Sequence, residues 1–217
     1  MNIPLLRTME TKENDLHGNA PDSSPVVLLI IDMINDLEFP GGDELESPAR
    51  RAADAILTLK QRARAINIPI VYVNDNFGKW RSDFTEVTDH VLHDGVRGRY
   101  LAEVLKPESD DYFVLKPKHS GFYATTLDTL LTYLKAKHIV LTGISTDSCI
   151  LFTANDAYMR DLKLSIPADC VAAIKPTYTS EALAYMKRML NADTTPSTEL
   201  NLAELVQAQT QKPLEAV

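Results

Sequence analysis

The apolar positions of this chain fall into two rhythms. Val26-Val27-Leu28-Leu29-Ile30-Ile31 is an unbroken run that stops at Asp32. Such a run, without polar alternation, suits a strand buried on both faces of a parallel sheet. Ile68-Pro69-Ile70-Val71-Tyr72-Val73 repeats the pattern and ends at Asn74-Asp75. Tyr112-Phe113-Val114-Leu115 ends at Lys116, and Ile139-Val140-Leu141-Thr142 runs into Gly143. Leu164-Ser165-Ile166-Pro167 and a short segment near Ala192-Asp193-Thr194 are weaker strands. Helical spacing fills the gaps. Ala49 to Ile66 aligns Ala52, Ala53, Ile56, Leu59 and Ala63, with Ser47-Pro48 ahead as a cap and a first-turn proline. Leu127, Leu130, Leu131 and Leu134 predict a helix over 125–134, and the same logic applies to 149–162 and 180–190.

Strand and helix therefore alternate, which predicts βαβ units: an α/β fold with a parallel sheet and helices on both faces. Residues 1–25 read as a loose N-terminal arm and 26–217 as one domain. The stretch 76–111 is long and polar, with Trp80 and a short helical patch near 99–105. It is expected to cover a site rather than build the core. One more helix is expected after Thr195.

The formal charge of −8, from 22 Lys and Arg against 30 Asp and Glu, changes the picture by exclusion. Nucleic acid and anionic membrane surfaces both call for a basic face, so neither is expected as a partner. A small-molecule substrate is the better default. Residues 1–25 hold only the short apolar run Ile3-Pro4-Leu5-Leu6, where an export signal needs roughly 7–15 apolar residues. Two cysteines, Cys149 and Cys170, do not make a disulfide framework, and a cytoplasmic, reducing location is expected.

Ligands in open α/β sheets bind beyond the carboxyl ends of the strands. Asp32 closes the first strand, Lys116 the third, and Gly143-Ile144-Ser145-Thr146-Asp147-Ser148-Cys149 follows the fourth. An acid, a base and a thiol thus meet at one edge, as an activated nucleophile requires. Backbone N–H groups at a helix start would lower the Cys149 pKa and make it react faster than Cys170, which reads as packing. Against this stand plainer readings: Cys149 as a buried structural thiol, Asp32 as an N-cap, Lys116 as a surface residue. Phe39, Trp80 and Phe122 are candidates for an aromatic pocket wall, or for ordinary core. His90 and His93 form the only close histidine pair and fit a solvated loop better than a metal site. Neither G-x-G-x-x-G nor G-x-x-x-x-G-K-[ST] occurs, and no cofactor is expected.

The strand ends carry a resemblance. Leu28-Leu29-Ile30-Ile31-Asp32-Met33 with Asn35-Asp36, Lys116-Pro117-Lys118-His119-Ser120-Gly121-Phe122, and Gly143-Ile144-Ser145-Thr146-Asp147-Ser148-Cys149-Ile150 are similar to the ordered motifs of the isochorismatase-like cysteine hydrolases, amidohydrolase branch. The second has the spacing K-x-x-x-S-x-F, which selects Lys116 rather than Lys118. The resemblance implies a Rossmann-like three-layer α/β/α sandwich with a six-stranded parallel sheet, and a homo-oligomer, dimer or tetramer. It implies catalytic roles for Asp32, Lys116 and Cys149, and hydrolysis of an amide-type C–N bond through a thioester. It also implies a cis peptide at Ile144–Ser145 and an oxyanion site from the N–H groups of Ser145 and Cys149. Two departures matter. Val73-Asn74-Asp75-Asn76-Phe77 stands where the family's nicotinamidases carry an Asp-x-His…His metal set, so no metal is expected; and Ile34 stands where Gln is frequent. Cys149 favours amide chemistry over an isochorismatase-type vinyl ether hydrolysis in which Asp32 alone would act as acid. An intact Asp, Lys and Cys set argues against a non-catalytic scaffold.

Overall fold

A computed structural model describes residues 22–76 and 83–210. Six strands are named in it: β1 Val26–Ile31, β2 Ile70–Asp75, β3 Tyr112–Lys116, β4 His138–Ile144, β5 Lys163–Ser165 and β6 Val171–Ala172. All pair in parallel, in the order β3-β2-β1-β4-β5, and β6 joins the far end of β4. The helices are α1 Gly42–Ala65, α2 Phe84–His93, α3 Arg99–Val104, α4 Leu127–Leu134, α5 Leu151–Tyr158, α6 Pro176–Met189 and α7 Leu202–Thr210.

The unbroken run of β1 divides between two cores. Val26, Leu28 and Ile30 pack with Leu45, Ile56 and Leu59 of α1 and with residues of α2, α3 and α7. Val27, Leu29 and Ile31 point the other way, onto Leu127 and Leu131 of α4, Ala154 of α5 and Met186 of α6. Successive strand side chains point to opposite faces, so a strand covered on both sides must be apolar at every position. The result is the three-layer α/β/α sandwich that the resemblance implies.

Several expectations need correction. The first helix does not start behind Ser47-Pro48. It begins at Gly42, after Gly41 in the left-handed region (φ 87°), and Pro48 lies inside it. A proline there removes one backbone hydrogen bond. Buried Leu45, ahead of it, and Ala49, behind it, keep the helix docked on the sheet. The sixth strand is Val171–Ala172; the segment near Asp193 makes one isolated bridge to Ser165. The helix after β4 opens with a π-helical turn, Thr146–Ile150, before α5. His90 and His93 lie on a helix, α2, not in a loop.

Within the 76–111 stretch, residues 83–111 build core. Phe84, Val87, Val91, Leu101, Ala102 and Leu105 are buried against β2 and α1. Its return into β3 is held by Lys60 of α1, whose Nζ lies 3.1 Å from an Asp111 oxygen and 3.0 Å from the Tyr72 hydroxyl. Residues 1–21 of the expected arm lie outside the described residues. Its end is tied down: Ser24 N–H donates to Leu134 O at 2.8 Å, and Pro25 O accepts from Lys137 and His138. Among the described residues no helix is long and apolar enough to cross a membrane.

Candidate active site

The ends of β1, β2, β3 and β4 build the site. Ile31 pairs with Val73 of β2 on one side and Gly143 of β4 on the other, so these strands end at one level. A side chain at Gly143 would put its Cβ 2.0 Å from the Ile31 carbonyl oxygen. Only glycine lets β4 lie this close to β1, and its φ of 117° turns the chain into the cis peptide Ile144–Ser145. The π-helical turn that follows carries Cys149. Asp32 leaves β1 with φ 53°, its N–H held by Val73 O at 2.9 Å. Lys116 is the last residue of β3.

These placements bring Asp32, Lys116 and Cys149 together. Lys116 Nζ is 2.8 Å from Asp32 Oδ2 and 3.5 Å from Cys149 Sγ. It is also 3.5 Å from Asp75 Oδ2, a carboxylate not anticipated from the sequence although Asp75 closes β2. The Asp75 N–H donates to Asp32 Oδ1 at 2.7 Å and fixes the carboxylate plane. Lys116 is fully buried; burial alone would lower its pKa, but Asp32, Cys149 and Asp75 together raise it, so it keeps its proton. Burial pushes the Asp32 carboxyl above the usual carboxylate range against the pull of Lys116.

The thiol corrects the expectation of an acidified cysteine. Burial pushes Cys149 up to about 12, the Asp32 charge adds to this, and Lys116 only partly offsets both. The Cys149 side chain is hydrogen-bonded to Asp32, which also favours the protonated thiol. Cys149 is half-buried while Cys170 is fully buried in the core, as expected of packing.

The triad opens into a cavity of about 350 Å³. Phe39, a candidate wall residue, lines it together with Ile144 and Ser145. Phe122 does not: it is buried in the α4–α6 core, under the Arg160 guanidinium at 4.5 Å. Trp80 lies outside the described residues. Asn35, Leu45, His119 and Ile174 complete much of the wall and were missed. His119 stood within the K-x-x-x-S motif; Ile174 carried no signal, since it reaches the cavity from the loop after β6. The motif's Ser120 is structural, donating to Asp156 of α5 and so pinning the loop after β3. Among the described residues no group of three or more His, Cys, Asp and Glu side chains is arranged to hold a metal ion.

A parallel α/β sheet presenting a thiol, an ammonium group and a carboxylate at its carboxyl edge defines a Rossmann-like hydrolase architecture. The Isochorismatase domain model matches residues 26–198, and the chain belongs to that family as a hydrolase. The isochorismatase family protein YaaI of Bacillus subtilis is 41% identical over 173 residues, covering 80% of this chain and 94% of that protein. The ureidoacrylate amidohydrolase RutB of Methylorubrum extorquens is 27% identical over 190 residues, 75% of each chain. Among solved structures, N-carbamoylsarcosine amidase from Thermoplasma acidophilum is similar with a TM-score of 0.61 at 26% identity, over 81% of this chain and 98% of that one.

Proposed function

We propose that this hydrolase cleaves an amide-type C–N bond of a small molecule through a thioester on Cys149. The observation that carries the reading is the contact of Cys149 Sγ with Lys116 Nζ (3.5 Å), itself paired with Asp32 (2.8 Å), at the wall of the cavity. Asp32 accepts the thiol proton as Sγ attacks the carbonyl carbon, then delivers it to the nitrogen as the C–N bond breaks. Water, deprotonated by the same carboxylate, attacks the thioester; the C–S bond breaks and the thiol regains its proton. A carboxyl held above the usual carboxylate range by burial suits this two-way role. Lys116 stabilises the anionic partners throughout, and the N–H groups of Ser145 and Cys149 meet the oxyanion. Two relatives named for amide or carbamoyl substrates support the C–N assignment.

Vinyl ether hydrolysis is the second reading, favoured by 30% identity to the isochorismatase of Bacillus subtilis over 76% of this chain. A screen over small amides, carbamoyl compounds and isochorismate, with rapid-quench mass spectrometry of the intact protein, separates the two. The amide reading expects an acyl adduct on Cys149 that Cys149→Ala abolishes together with turnover. Turnover that survives Cys149→Ala without any adduct would overturn it. The proposal includes a cytoplasmic homo-oligomer, dimer or tetramer, which light scattering on purified protein checks in its oligomeric part.

A further inference from the structure

Among the described residues, Lys116, Asp32 and His119 face the Cys149 sulfur, and the scheme above uses the first two. His119 Nδ1 lies 3.9 Å from Sγ and 3.3 Å from Ser148 Oγ. Its ring packs on Phe152, with centroids 5.5 Å apart, and it lines the same cavity as Asp32 and Cys149. Lys116 keeps its proton beside two carboxylates and cannot accept another. Among the described residues, Asp32 and His119 are two bases beside the thiol, on different elements.

The two bases differ in what a substrate asks of them. An amide nitrogen leaves only after protonation, and the carboxyl beside the buried ammonium delivers that proton. A phenolate leaves an activated ester without one, so there the thiol proton alone needs an acceptor. We infer that Cys149 and His119 form a second acid–base pair, which gives the site an esterase activity on activated esters that does not require Asp32. The inference rests on Cys149 being the nucleophile. With its own proton on Nε2, His119 takes the thiol proton at Nδ1 as Sγ bonds to the acyl carbon. The C–O bond breaks and the phenolate departs. The imidazolium gives its extra proton to solvent, and the neutral ring then takes a proton from the water that attacks the thioester. The C–S bond breaks, and that proton returns to sulfur.

The test uses p-nitrophenyl acetate with the full chain, following phenolate release and the acetyl adduct on Cys149 by mass spectrometry. Asp32→Asn is expected to lose amide turnover and keep ester turnover within about tenfold of the unaltered protein. Adding His119→Gln should lower ester turnover and Cys149 acetylation at least about tenfold further. If Asp32→Asn does not fold, His119→Gln alone, at an exposed position, should slow Cys149 acetylation at least about fivefold. Ester turnover abolished by Asp32→Asn alone, or unchanged on removing His119, would overturn the inference. Ester turnover unchanged in Cys149→Ala would overturn the nucleophile itself, which keeps the two failures apart.

Discussion

Replacing Lys116 by Met removes one buried cation while nearly conserving volume. The cation stands 2.8 Å from Asp32 Oδ2 and 3.5 Å from Cys149 Sγ. At an effective dielectric of roughly 20, a unit pair at the latter distance is worth about 5 kcal/mol. Loss of that attraction lowers the thiolate population by a factor on the order of 10³. The Asp32 carboxyl, already raised by burial and now facing Asp75 without the shared ammonium, would rise further and cease to act as a base. Both effects push in one direction, so kcat/KM should fall by about 10²–10⁴, the scale of a positioned proton-transfer apparatus. Breaking a buried ion pair also costs about 3–5 kcal/mol of stability, so rates are to be normalised to folded protein by circular dichroism. Cys149 alkylation at neutral pH gives a readout that needs no substrate, and it should slow in step. The control is Lys118→Ala: this side chain is exposed and outside the cavity, and turnover should stay within a few-fold. A Lys116→Met enzyme within threefold of the unaltered protein, or a larger loss from Lys118→Ala, would refute the electrostatic account of the site.

Brief iodoacetamide treatment should label Cys149 before Cys170, because access differs while burial holds both thiols at about 12. Because burial keeps the Cys149 thiol protonated at neutral pH, its labelling rate should keep rising with pH to pH 9; a plateau near pH 8, or first labelling of Cys170, counts against this. Dialysis against a chelator should leave amide turnover unchanged, since Asn74-Asp75-Asn76 replaces the nicotinamidase metal set; activity lost and restored by Zn²⁺ or Fe²⁺ would contradict it. His138 is buried, its Nε2 2.9 Å from Ser165 Oγ, and burial, with Lys163, lowers its pKa to about 4. Its contribution to stability is complete above about pH 6.5 and declines as pH falls toward 4, by about 3 kcal/mol in all, because the unfolded chain takes up the proton first. Urea unfolding should show this slope reduced in His138→Gln, and equal slopes would rule it out.

What was legible from the residues follows from the geometry of parallel sheets. A strand covered on both faces spells itself as an unbroken apolar run, and the first polar residue after it lands at the ligand-binding edge. Asp32 and Lys116 were readable for that reason, and Gly143 marked where β4 turns into the loop bearing Cys149. Short elements escaped the same logic. Val171–Ala172 has too few residues to show a period, and α1 begins on a glycine turn that Ser47-Pro48 outshone. Helix α2 did carry a usable signal: Asp83 caps it by accepting from Glu86 N–H, ahead of Phe84, Val87 and Val91 at helical spacing. Polar composition hid that pattern.

The cavity wall obeys a different rule. Its members come from the ends of β2 and β4, the turn after β4, the first part of α1 and the loops after β1, β3 and β6, and which side chain of a loop turns inward depends on what clamps the loop. Asn35 Oδ1 accepts the Leu37 N–H at 2.8 Å, Gly98 N–H donates to Asp36 O at 2.9 Å, and Arg97 donates to Leu37 O. A Cβ on Gly98 would sit 1.6 Å from Asn35 O. The segment before α3 thus shapes the loop that presents Phe39, over a sequence separation that no periodicity spans. Phe122 shows the converse: it belongs to a genuine motif, yet Ser120 pins that loop to Asp156 so that Phe122 points into the core and His119 toward the thiol. Chemistry at strand ends is therefore written locally, whereas the selectivity of the cavity depends on contacts between distant segments.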